Sequence, residues 1–88
     1  MTPSLTPEQL LLIADEFCAT HRVQIRDFGA LVAAAAVPGA RIDGIPVHAT
    51  SHAAGEALAR MVDRLEPLSD LNREFGAVCR AVYHRFTL

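Results

Sequence analysis

The densest run of side chains suited to chemistry is Arg64-Leu65-Glu66-Pro67-Leu68-Ser69-Asp70-Leu71-Asn72-Arg73-Glu74-Phe75. It reads as helix, break, capped helix. Glu66-Pro67 interrupts one apolar periodicity, and Ser69 or Asp70 can cap the next. A helix start exposes unpaired backbone N–H groups and the positive end of a dipole, a combination that binds phosphate. The same residues also make an ordinary turn between helices, since Asp70 and Asn72 suit cap and first-turn positions for local reasons.

Other candidate groups are sparser. His48 and His52 are four apart. On one helix that spacing could hold a metal, but His48 is expected before the cap and no third ligand accompanies the pair. His21 and His84 fall near helix C-terminal ends, where a partial positive charge suits the dipole. Cys18 and Cys79 fall on apolar helix faces, which predicts buried free thiols. Arg26-Asp27 reads as a linker charge followed by a helix cap.

Four main helices position these groups. Thr6-Pro7-Glu8-Gln9 is a helix start with a cap, a proline at the first helical position and a residue that can close a capping box. Leu10, Ile13, Ala14, Phe17 and Cys18 follow at helical spacing, so the first helix should span Pro7 to His21. After the linker Val23-Gln24-Ile25-Arg26, Asp27 caps a second helix, Phe28 to Val37, with Leu31, Ala34 and Ala35 inward. Pro38-Gly39 ends it. Residues 38–50 are irregular; Asp43-Gly44, flanked by Ile42 and Ile45, signals a small hairpin or flap that Pro46 confines to an edge. Thr50 or Ser51 caps a third helix to Leu65, with Ala54, Leu58, Met61, Val62 and Leu65 on one face and Glu56–Arg60 as an exposed i,i+4 pair. In the fourth, Leu71, Phe75, Val78, Val82 and Phe86 recur nearly to the C-terminus. Phe17, Phe28, Phe75 and Phe86 are expected in the core, with Phe86, near the chain end, an exposed anchor if further helices would have covered it. The fold class is all-α: a small four-helix bundle with a short flap between helices 2 and 3, residues 1–88 forming a single domain.

The totals agree with this plan. A chain of 88 residues buries only roughly 60–65% of its unfolded surface, so a partner or self-contact can add to a thin, alanine-rich core. Apolar residues make up 51% of the chain and its net charge is −2. That charge argues against nucleic-acid binding through phosphate neutralisation. No apolar run approaches the ~18–20 residues of a membrane span. Met1-Thr2-Pro3-Ser4 lacks the basic start of a secretion signal, and a cytoplasmic location is expected.

In its order of segments the chain resembles the Fic/Doc family, and its Doc (death-on-curing) branch in particular. The family loop follows His-x-Phe-x-(Asp/Glu)-(Gly/Ala)-Asn-(Lys/Gly)-Arg, and Glu66 to Glu74 occupies its place. Leu5-Thr6-Pro7-Glu8-Gln9-Leu10 is similar to the Doc N-terminal helix start. Ile25-Arg26-Asp27-Phe28-Gly29-Ala30-Leu31, with Pro38, resembles the family's second segment. Gly44-Ile45-Pro46 and Ala53-Ala54 resemble the flap and the helix behind it. In the family the histidine is a general base that deprotonates a protein hydroxyl. The loop backbone with its Asn, Lys and Arg holds nucleotide phosphates, and the acidic residue holds Mg²⁺. Fic proteins usually transfer AMP, whereas Doc toxins phosphorylate a translation elongation factor and are neutralised by an antitoxin that packs into a groove.

The resemblance places Asp70 and Asn72 on matching positions, with Arg73 as a cation in place of lysine. Glu66 stands where the histidine belongs, Leu68 where the aromatic anchor belongs, and Leu71 where a small residue lets the backbone approach phosphate. Glu74 replaces the arginine, placing negative charge where a triphosphate would sit. Like charges at ~4 Å repel by roughly 4 kcal/mol at intermediate dielectric. A carboxylate, with a reference pKa of about 4.3, is a poor base at neutral pH. Family members also continue for further helices beyond the position of Leu88. The expectation is a non-catalytic Doc-like protein of a bacterial toxin–antitoxin type system, binding an antitoxin-like protein or itself. Phe75, Val82 and Phe86 are the candidate interface residues, with no cofactor, nucleic acid or membrane. The alternatives are a divergent phosphoryl- or AMP-transferase using Glu66 as base, with Asn72 and Arg73 on ATP and Asp70 on Mg²⁺, or a structural subunit of an assembly.

Overall fold

The computed structural model describes residues 3–87; the expectations placed on Met1, Thr2 and Leu88 lie outside them. The elements run α1 (Pro7–His21), α2 (Phe28–Ala35), β1 (Arg41–Ile42), β2 (Ile45–Pro46), α3 (Ser51–Leu65) and α4 (Asn72–Phe86). This is the expected all-α bundle with a two-stranded flap. No helix among the described residues is long and apolar enough to cross a membrane.

Local chemistry sets most of the helix boundaries. The Gln9 N–H donates to Thr6 Oγ1 at 3.1 Å and the Thr6 N–H donates to Gln9 Oε1 at 2.8 Å, a reciprocal capping box. Asp27 Oδ1 accepts from the Ala30 N–H and Thr50 Oγ1 from the Ala53 N–H, each at 3.1 Å. Helix α2 stops at Ala35, two residues earlier than its apolar pattern suggests. The Val37 N–H reaches the Ala34 carbonyl in a tighter turn, because Pro38 keeps the residue before it out of the α region. In the flap, Asp43 and Gly44 both have positive φ (52° and 79°). That is the turn whose twist matches two antiparallel strands, and Arg41 pairs with Pro46, Ile42 with Ile45.

The core joins Leu10, Ala14 and Phe17 of α1, Leu31, Ala34 and Ala35 of α2, Ala54, Leu58 and Val62 of α3, and Phe75, Cys79 and Tyr83 of α4. Helices α3 and α4 pack at close range: a Cβ on Gly76 would lie 2.9 Å from the Ala59 carbonyl oxygen. This approach fixes the rotation of α4. Its buried face is Phe75-Gly76-Cys79-Tyr83, not the stripe through Val78, Val82 and Phe86, which are 37%, 39% and 57% exposed.

Two of the four phenylalanines lie outside the core, Phe28 against expectation and Phe86 in agreement with its reading as an exposed anchor. Phe28 begins α2 at the open edge of the α1–α2 contact, beside Leu11 and Leu31, and is exposed, as is Phe86. The Glu56–Arg60 pair is replaced by a cross-helix one: Arg80 Nη1 donates to Glu56 Oε2 at 3.0 Å, tying α3 to α4. Cys79 is fully buried and Cys18 only partly so. Burial pushes the Cys79 thiol up to about 12. For Cys18 the rise comes first from burial and then from the Asp15 carboxylate.

Candidate functional site

The loop marked by sequence is built into the scaffold. Helix α3 ends at Leu65 and is capped by Glu66, which adopts left-handed geometry (φ 51°, ψ 62°) and donates its N–H to the Val62 carbonyl. From there the chain runs antiparallel to the α1–α2 linker, Ile25 bridging Leu68. The Pro67 carbonyl accepts from both the Arg26 N–H at 2.7 Å and the Asp27 N–H at 3.0 Å. The Ser69 N–H donates to the Gln24 carbonyl at 2.8 Å, and the Gln24 N–H donates to Ser69 Oγ at 3.0 Å. Arg26 adds its guanidinium, which donates to the Glu66 carbonyl at 2.8 Å with the Glu66 carboxylate 3.7 Å away. Both side chains of that ion pair are more than half exposed, so the backbone contact carries the larger share of the interaction. The whole is a clasp between two linkers.

The start of α4 differs from its expected form. Neither Ser69 nor Asp70 caps it. The N-cap position belongs to Leu71, in left-handed geometry (φ 60°, ψ 30°), with no side-chain cap bond. Ser69 is taken up by the clasp, and Asp70 Oδ1 accepts from the adjacent Leu71 N–H at 2.8 Å. Asn72 serves the loop from within the first turn: its Oδ1 accepts from the Leu68 N–H at 2.8 Å, and its Nδ2 donates to the Leu68 carbonyl at 3.0 Å. The loop N–H groups of Leu68, Ser69 and Leu71 therefore already have acceptors inside the chain. Glu74 adds an acidic side chain to the first turn, where the dipole favours negative charge. Arg73 and Glu74 are both exposed.

Three of the four histidines lie against other side chains. His21 lies against Phe17 with ring centroids 4.2 Å apart, in the last turn of α1. His52 stacks on His84 at 5.4 Å across α3 and α4. His48 precedes α3, and among the described residues no three His, Cys, Asp or Glu side chains gather to hold a metal ion.

A second region is chemically plainer and physically more open. Along the seam of α1 and α4 lies a groove of about 520 Å³ lined by Leu12, Ile13, Glu16, Phe17, Val78 and Val82, among others. A smaller hollow of about 240 Å³ continues it, with Leu5, Gln9 and Phe86 added to the lining. Leu12 is 70% exposed at the rim. The floor is firm, since Phe17 packs on Phe75 at 5.3 Å between centroids. Of the three interface candidates, Val82 and Phe86 line this surface. Phe75 is completely buried beneath it and cannot meet a partner. Sequence reasoning missed Leu12 and the α1 side of the groove, although Leu12, Glu16 and Thr20 recur every four residues outside the core stripe. Tyr83 was also unforeseen: it is buried, its hydroxyl donates to the Pro3 carbonyl at 2.8 Å, and burial raises its pKa.

Chemically, the clasp offers well-satisfied backbone and exposed charge, and the groove offers apolar area beside a few carboxylates. Comparison with family models, curated proteins and solved structures finds none that matches this chain.

Proposed function

We propose that this chain is a non-catalytic, Doc-like helical domain of a toxin–antitoxin type system that works by binding protein through the α1–α4 groove. The observation that carries the reading is the contrast in bonding between the two candidate regions. The loop from Glu66 to Ser69 is hydrogen-bonded to the α1–α2 linker, and Asn72 is bonded to Leu68 through both atoms of its amide. For the loop backbone to cradle phosphate, the N–H groups of Leu68, Ser69 and Leu71 would have to leave these acceptors, and an anion at the uncapped first turn of α4 would meet the Glu74 carboxylate. Helix α4 instead turns Val78, Val82 and Phe86 outward beside Leu12, giving a contiguous apolar surface of the kind that marks protein docking.

The test pairs two assays. The chain, co-expressed with the product of the neighbouring reading frame in its native genome, forms a complex that Val82→Glu abolishes while the diluted variant still unfolds in one cooperative transition. Incubation with ATP and Mg²⁺ leaves the melting temperature unchanged, since a ligand of the native state must raise it. Transfer of phosphate or AMP from ATP to a protein hydroxyl would overturn the proposal.

A further inference from the structure

The groove is a hollow with a projecting aromatic ring at its far end, and the α4 row beside it has a carboxylate in its first turn and a cation in its last. Helices α1 and α4 run antiparallel: Phe17 meets Phe75 at one end, and Leu5 and Gln9 share a hollow with Val82 and Phe86 at the other. Glu74, Val78, Val82 and Phe86 stand four residues apart and so form one row on α4. The large hollow opens beside Val78 and Val82. The projecting aromatic ring, Phe86, stands at the other end of the row, about 12 Å from Val78 at 1.5 Å per residue. Carboxylates flank the hollow: Glu16 in its lining and Glu74 one turn before Val78. A cation, Arg85, flanks the ring. Neither Glu74 nor Arg85 forms an ion pair among the described residues.

We infer that the occupant of the groove is a second copy of this chain, related by a two-fold axis that crosses α4 between Val78 and Val82. This rests on the protein-docking reading above and gives the occupant of the groove when the chain is alone; an antitoxin-like protein would displace it. The operation lays the two α4 helices antiparallel. It carries Phe86 of each copy into the large hollow of the other and sets each Arg85 beside the other copy's Glu74. Because the contact is isologous, every favourable pairing occurs twice. It also covers Leu12, Val78 and Val82, the exposed apolar residues of this face.

Sedimentation equilibrium over a wide concentration range tests the arrangement. The parent chain forms a dimer. Phe86→Ala raises the dissociation constant by at least about 30-fold, as loss of a ring seated in a pocket does, and melts like the parent once both are diluted to monomers. Arg85→Glu weakens it by about tenfold, and the double exchange Glu74→Arg with Arg85→Glu returns it to within about threefold of the parent, because the swapped charges face each other again. The inference falls if the chain stays monomeric at millimolar concentration, if Phe86→Ala dimerises like the parent, or if the double exchange fails to recover. A monomer that still binds the neighbouring gene product through Val82 removes the second copy and retains protein docking; a monomer that transfers phosphate from ATP removes both.

Discussion

The clasp at residues 66–72 and the groove between α1 and α4 are joined by Phe75, yet their side chains are used in opposite ways. In the clasp, polar groups find partners within the chain: Arg26 on the Glu66 carbonyl, Ser69 on Gln24, Asn72 on both polar atoms of Leu68. In the groove, apolar groups find none, and Leu12, Val82 and Phe86 stay in water. A segment can thus carry every residue type that chemistry needs and use them all for folding. A neighbouring face that is mostly apolar can be the part left open to the outside.

Substitutions sharpen the contrast. The largest effect is expected at Asn72→Ala, which leaves the half-buried Leu68 N–H and carbonyl without their side-chain partner. Stability should fall by about 2 kcal/mol, read from urea or thermal unfolding. Glu66→Gly should move it the other way by roughly 0.5–1 kcal/mol, because a left-handed residue at a helix end favours glycine and the exposed carboxylate contributes little. In the groove, Leu12→Gln should change monomer stability by no more than about 0.5 kcal/mol while abolishing association in light scattering. A loss of several kcal/mol there would mean that Leu12 belongs to the core.

The smallest effect concerns pH. The hydrogen bond from Arg80 holds the Glu56 carboxyl below its ordinary value of 4.5, with further help from the Arg80, His52 and His84 charges. A depressed folded-state pKa contributes stability that is present above 4.5 and lost as the pH falls through the folded value. Melting temperature should therefore decline in that acidic window, and Glu56→Gln should flatten the decline.

What was legible in the sequence is what short-range chemistry decides. The Thr6-Gln9 box, the caps at Asp27 and Thr50, the Asp43-Gly44 turn and the break at Glu66-Pro67 each depend on residues within a few positions. The failures involve distant partners. Helix α4 carries two overlapping stripes, Phe75-Val78-Val82-Phe86 and Phe75-Cys79-Tyr83. The second is buried because Gly76 lets α3 approach to backbone distance, a fact about α3 that α4 cannot announce. Tyr83 is acceptable in the core only because the Pro3 carbonyl receives its hydroxyl. Ser69 looked like a cap because its partner Gln24 lies in another linker. The site followed the same rule: the loop was visible as a place, while its use as a clasp was written in residues 24–27.

Amide chemical-shift mapping puts the two regions side by side in one spectrum. Recorded over a dilution series and again with millimolar ATP and Mg²⁺, it should show Leu12, Val78, Val82 and Phe86 moving with protein concentration, and Glu66 to Glu74 unmoved by nucleotide. Shifts that saturate at Leu68 to Glu74 on adding ATP, with the α1–α4 face indifferent to concentration, would contradict the assignment of structure to the loop and contact to the groove.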